Sequence, residues 1–163
     1  MRRIHVTERE VFHMQLTSKG RYAVSAMVDL ARNQEKGPIT LASISERQYI
    51  SLSYLEQLFR KLRENGLVDS VRGPGGGYRL AQEANDITIS KIMFAVNESI
   101  QTTMCKNQSE GCHRGSRCDT HNLWTALGHH INFFLETVTV QDICDDKNYL
   151  QTLTAVEKTL AQH

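Results

Sequence analysis

The stretch ISLSYLEQLFRKLRENGLVDSVRGPGGGYRL, residues 50–80, carries the pattern on which the reading of this chain turns. Leu55, Leu58, Phe59 and Leu62 recur at three- and four-residue intervals, the apolar stripe of a helix that opens at Ser51 or Ser53 and closes at Gly66. Ser53 and Glu56 stand at capping-box spacing. Leu67 to Val71 then alternates as a strand, Arg72-Gly73-Pro74-Gly75-Gly76-Gly77 must turn, and Tyr78-Arg79-Leu80 returns as the partner strand. Upstream, Thr40 caps a short helix from Leu41 to Arg47 with Leu41 and Ile44 on one face. Before it, Ala23, Met27, Leu30 and Ala31 mark a longer helix that starts after Thr17 or Ser18 and stops at Gly37-Pro38.

Two short helices, a tight turn and a hairpin directly behind the second helix predict a winged helix-turn-helix domain. The second helix presents Ser53, Tyr54, Glu56, Gln57, Arg60 and Lys61 away from its apolar stripe, as a helix that reads a DNA groove must. At the wing, Arg72 is placed to reach a phosphate or a base edge. Gly73, Pro74 and Gly75 form either a flexible tip or a backbone able to approach DNA closely. A phosphate cradle for a nucleotide is not expected, since no Gly-Lys-Ser/Thr follows and no helix opens there.

Beyond the wing, Thr88 caps a helix carrying Ile89, Ile92, Met93 and Val96. Residues 101–119 lose apolar periodicity and hold three cysteines. Leu123, Leu127, Ile131, Phe134, Leu135 and Val138 then define a long amphipathic helix, its stripe broadened by Trp124 and Phe133. That face is large for one small domain to bury; pairing with a second copy in a twofold homodimer would cover it, and packing against its own winged domain is the alternative. Thr139 and Asp142 cap a last short helix, and the tail is polar with a weak helical stripe. The expected class is mainly α: a winged helix-turn-helix DNA-binding domain with a small β-hairpin wing, plus a long dimerisation helix. The expected organisation is an extension over 1–13, the winged domain over 14–84, a connecting helix and ligand-bearing loop over 85–122, the dimerisation and short helices over 123–145, and a tail over 146–163.

Length and composition fit this frame. The chain has 163 residues, 40% hydrophobic and 23% charged, which excludes disordered and low-complexity classes. Its apolar runs are far shorter than the ~20 residues a membrane span needs, and residues 1–13 lack the apolar core of a secretory signal. The expectation is a cytoplasmic protein with no membrane partner and reduced thiols. Residues 14–80 carry ten Lys/Arg against six Asp/Glu, a balance of +4, and residues 81–163 carry six against ten, −4. Only the first half is suited to a polyanion. No Ser-His-Asp array or pair of acids suggests catalysis, so an enzyme is not expected.

Cys105, Cys112, Cys118 and His121 are separated by six, five and two residues. Zinc modules favour close Cys pairs, whereas iron–sulfur clusters accept wider glycine-rich loops. The spacing leaves iron–sulfur, zinc and a disulfide or inert thiols open. Cys144 falls outside the loop as a small core residue, and His129 and His130 lie on the amphipathic helix.

With wing and loop placed, LTSKGRYAV (16–24), ISLSYLEQLFRKLRENGLV (50–68) and SVRGPGGGY (70–78) resemble the iron–sulfur assembly regulators within the winged-helix bacterial repressors, a likeness running from Met14 to about Ile143. It implies a homodimer on palindromic double-stranded operator DNA and one 2Fe-2S cluster per subunit, delivered by the iron–sulfur assembly machinery. The ligands it implies are Cys105, Cys112, Cys118 and His121. The DNA readers it implies are Ser53, Tyr54, Glu56, Gln57 and Arg72. The likeness also implies that cluster state selects between operator classes, so that the protein reports cluster supply by repressing assembly genes. Lys19, Arg21, Arg60, Lys61 and Arg63 are candidate phosphate contacts beside these. The family pattern has five residues between the first two cysteines where this chain has six, and it starts where Met14 stands, so residues 1–13 are expected to be an extension or an upstream start wrongly chosen. Two rivals remain: a sibling regulator sensing nitric oxide or cysteine status, and an iron–sulfur or zinc protein that does not bind DNA.

Overall fold

The computed structural model of the protein describes residues 18–98 and 119–147. Thr17, the extension over 1–13, Cys105, Cys112, Cys118 and the tail from 148 lie outside the described residues.

Helix α1 (Ser18–Asn33) turns Ala23, Ala26, Met27 and Leu30 into the centre of the core, each with no exposed surface. A 3-10 turn over Gln34–Lys36 ends at Gly37, and the Thr40 side chain then accepts from the Ser43 amide at 3.2 Å to start α2 (Leu41–Gln48). Asp29 of α1 is the buried acid of the core. Its carboxylate accepts from Arg47 Nη2 at 2.6 Å and Nε at 3.0 Å, and from Gln48 Nε2 at 2.9 Å, so both ends of the charge are matched and α2 is locked to α1. The same hydrogen bond holds the Arg47 guanidinium above its ordinary value.

Helix α3 (Leu52–Glu64) buries Leu55, Leu58, Phe59 and Leu62, the predicted stripe. It ends in a Schellman motif: the Leu67 amide donates to the Leu62 carbonyl and the Gly66 amide to Arg63, with Gly66 at φ +68°. Strands β1 (Val68–Val71) and β2 (Gly77–Leu80) pair antiparallel, Val68 opposite Leu80 and Val71 opposite Gly77. Helix α4 (Ile89–Ala95) is capped by Thr88 as its sequence predicts, and α5 (His121–Thr137) packs on α4.

After α5 the chain returns to the core it began from. Val138 and Val140 are buried in the same cluster as α1 and α3, and their backbones bond to Ile89 and Ile87 at 2.9 Å each. Helix α6 (Val140–Cys144) carries a complete capping box, Thr139 with Asp142, and lies on α1, where Arg32 Nη2 donates to the Ile143 carbonyl and to Asp146, both at 3.0 Å. Cys144 packs half-buried against the core, and burial pushes its thiol up.

Candidate functional site

The α2–α3 pair is a helix-turn-helix whose second helix divides cleanly. One side is buried, while Ser53, Glu56, Gln57 and Arg60 are exposed on the other and Lys61 is half-exposed. Arg60 is 3.9 Å from Glu64 on the same helix, a loose i,i+4 pair that leaves its charge in solvent. Glu56 has no hydrogen bond or ion pair among the described residues.

Three expectations change. Ser53 does not cap: the Tyr54 and Leu55 amides both donate to the Ser51 carbonyl, at 3.1 and 3.0 Å, so the helix opens at Leu52 and Ser53 lies inside its first turn. The Ser53–Glu56 capping box is therefore absent, and both side chains are left facing outward. Tyr54 is not a freely projecting reader, because its ring packs edge-on to Tyr22 at 6.0 Å and against the core, half-buried. Lys19 is engaged inside the protein. Its ammonium donates to the Asn97 carbonyl at 2.9 Å and lies 3.4 Å from Glu98, tying α1 to the end of α4, whereas Arg21 is exposed.

The wing is held in a way that its glycines hid. Gly73 and Gly75 turn at φ +99° and +74°, where side chains are strained. Gly77 instead permits a close approach, since its backbone runs against Ile39, where a Cβ would stand 2.4 Å from the carbonyl oxygen. Ile39 and Tyr78 exchange two backbone hydrogen bonds, 2.8 and 2.7 Å, and the Tyr78 ring stacks edge-on to Phe59 of α3 at 4.9 Å. The hairpin is thus fastened to the core at its base while Arg72, Gly73, Pro74 and Gly75 are exposed at its tip. A fixed wing beside a fixed helix offers two polar or basic edges separated by a rigid body, which is what groove and flanking backbone require.

His121 opens α5. Its Nδ1 is buried and has no hydrogen-bond partner among the described residues. A buried imidazole nitrogen without a partner is costly unless something fills its lone pair or takes its proton, and a metal does the former. Among the described residues no three His, Cys, Asp or Glu side chains converge, since the cysteines of the predicted set lie outside them. His129 and His130 are exposed. Along α5, Leu123 (62%) and Phe133 (67%) are largely exposed, and Trp124 (44%) and Phe134 (38%) are partly exposed.

Residues 16–146 match the family model described as Rrf2, iron-dependent transcriptional regulator. The chain is 53% identical over 137 residues to the HTH-type transcriptional regulator IscR of Photorhabdus laumondii, covering 84% of this chain and 83% of that one. It is 55% identical over 137 residues to the regulator of the same name from Pectobacterium carotovorum, with the same coverage. Among solved structures it superposes on T. potens IscR with a TM-score of 0.69 and 37% identity, over 85% of this chain and 92% of that chain. CymR, the global cysteine regulator of B. subtilis, gives 0.70 and 30% over 83% and 99%.

Proposed function

This chain belongs to the Rrf2 family of transcriptional regulators, and from that premise we propose that it binds operator DNA through α3 and the wing and holds a 2Fe-2S cluster through Cys105, Cys112, Cys118 and His121. It is a DNA-binding regulator and not an enzyme. The observation that carries the DNA reading is the outward row Ser53, Glu56 and Gln57 on a helix buried on its other side, with Arg72 exposed on a wing fastened to the same core. Gln57 can pair with adenine and Arg72 with guanine, while Glu56 accepts from the cytosine amino group and is repelled by phosphate elsewhere. Arg21, Arg60, Lys61 and Arg63 supply sequence-independent phosphate contacts. Lys19, already paired with Glu98, supports the position of α1 instead.

The partnerless Nδ1 of His121 supports the cluster reading. When bound, the cluster supplies an iron site whose occupancy follows cluster supply, and a histidine ligand makes it easier to lose than four thiolates would. The protein's part is to place His121 on the first turn of α5, so that ligation bears directly on the orientation of that helix. The exposed Leu123 and Phe133 of α5 support a homodimer in which two copies present their reading helices about one DNA turn apart. The iron–sulfur assembly machinery is the expected donor, in the cytoplasm; among the described residues no helix is long and apolar enough to cross a membrane.

The test of the cluster is anaerobic purification followed by absorption spectroscopy and iron and sulfide analysis. Equal iron and sulfide, lost on Cys105→Ala, Cys112→Ala or Cys118→Ala and kept in Cys144→Ala, is the expected result. Stoichiometric zinc without sulfide overturns it.

A further inference from the structure

Three non-glycine residues among those described have a left-handed backbone: Tyr49 (φ +55°), Asn97 (+56°) and Asp146 (+51°). Asn and Asp adopt that conformation readily, but a tyrosine is sterically opposed to it. At Tyr49 the left-handed backbone ends α2, but among the described residues the side chain gains no contact that calls for a tyrosine there. It is 94% exposed and among the described residues its side chain makes no hydrogen bond or ring contact, unlike Tyr22, Tyr54 and Tyr78.

The turn around it is pinned on both sides. Gln48 is bonded to Asp29, and Ile50 is buried with its carbonyl accepting from Ser45 Oγ at 2.6 Å. Tyr49 therefore cannot fold back, and its ring is held outward at the corner between α2 and α3. That corner lies three residues before Leu52, at most about 11 Å of chain, while the major groove is about 12 Å wide. If the start of α3 enters the groove, Tyr49 stands over the sugar–phosphate strand at its edge. Arg47, the cation nearest in sequence, is committed to Asp29. A neutral hydroxyl is what this corner offers to a phosphate.

We propose that the Tyr49 hydroxyl donates a hydrogen bond to a DNA phosphate bordering the groove that α3 reads. The inference rests on the DNA-binding reading of α3 given above. Because the turn is already ordered, the contact loses little conformational freedom on binding. Because it is to a phosphate, it adds affinity to every sequence alike.

The test uses the full chain and a duplex of about 30 base pairs, room for two half-sites one turn apart, selected by the wild-type protein from a random pool, with a scrambled duplex beside it. Tyr49→Gly and Tyr49→Phe should each weaken binding to both duplexes by the same factor, about three-fold or more, the worth of one hydrogen bond. Tyr49→Gly should not lower the thermal midpoint, since glycine removes the backbone strain. Loss of DNA affinity without loss of stability separates a contact from a packing role. Wild-type affinity in Tyr49→Gly overturns the proposal, and so would be the result if the ring served a protein partner. Wild-type affinity in Tyr49→Phe overturns the hydroxyl–phosphate bond. Arg72→Ala, run in parallel, separates the premises: if it weakens binding while Tyr49→Gly does not, only the Tyr49 contact falls. If the wild type selects no sequence, the DNA reading falls with it.

Discussion

At the scale of single residues, Glu56 is the most exposed to test. An anion on a face meant for DNA is a cost unless a donor meets it, and two explanations fit its spacing from Ser53: a helix cap or a base contact. The structure removes the first, because α3 opens two residues too early for Ser53 to cap and Glu56 bonds to nothing among the described residues. Glu56→Ala should therefore leave the thermal midpoint near that of wild type and widen the range of operators bound, with no loss on sites lacking the matching cytosine. Arg72→Ala should behave oppositely and cost about 1–3 kcal/mol on every specific operator, the worth of one bidentate pair. Titration of both variants on a set of operators at fixed salt distinguishes them, and an equal loss on every operator for Glu56→Ala would exclude a cytosine contact. The residue types at Ser53, Glu56 and Gln57 were legible in the chain as a polar face opposite a stripe, and Arg72 as the residue that enters the wing turn. The engagement of Tyr54 and Lys19 was not, since Tyr22 and Glu98 meet them only after α1, α3 and α4 pack together.

At the scale of elements, α6 shows how a five-residue helix is kept in place. Thr139 Oγ1 accepts from the Asp142 amide at 3.1 Å and the Asp142 carboxylate accepts from the Thr139 amide at 2.9 Å, while Lys147 also donates to that carboxylate. The Lys147 bond first, then the Thr139 backbone, holds the Asp142 carboxyl below the usual range. A carboxyl depressed in the folded state contributes fully above its unfolded pKa, about 3.9, and loses that contribution as pH falls through its folded value. Asp142→Ala should cost about 1 kcal/mol near neutral pH, the worth of a cap, and should show a shallower loss of stability on acidification than wild type. Urea midpoints at neutral pH and in mild acid measure both; parallel acid limbs would show that Asp142 does not titrate with unfolding. The Thr139–Asp142 box was readable from residue types, as were the Thr40 and Thr88 caps, because capping is local chemistry. What α6 covers was not readable, since Ile143 meets Arg32 from 111 positions away.

At the scale of the whole molecule, α5 is the unfinished surface. Isolated exposed apolar residues are ordinary, but Leu123 and Phe133 stand within about 80° of each other around one helix, both largely exposed, and together they offer an apolar surface to a second copy. Phe133→Asp should convert the chain from dimer to monomer in sedimentation equilibrium while its circular dichroism stays that of wild type, and should weaken binding to a palindromic operator far more than to a half-site. A wild-type monomer of unchanged operator affinity would remove the dimer from the mechanism.

The sequence by itself determined the periodic and local features: the stripe of α3, the caps at Thr40, Thr88 and Thr139, the turn glycines, and the spacing of Cys105, Cys112, Cys118 and His121. Each depends on residues within one or two helical turns, where side-chain type and spacing suffice. Tertiary structure alone decided that Gly77 lies against the Ile39 backbone, that Val138 and Val140 return to the core of α1 and α3, that Asp29 is matched by Arg47, and that Tyr49 is forced outward at a left-handed corner. These are meetings between distant parts of the chain, or backbone conformations set by such meetings, and packing chooses among the many pairings that residue types permit.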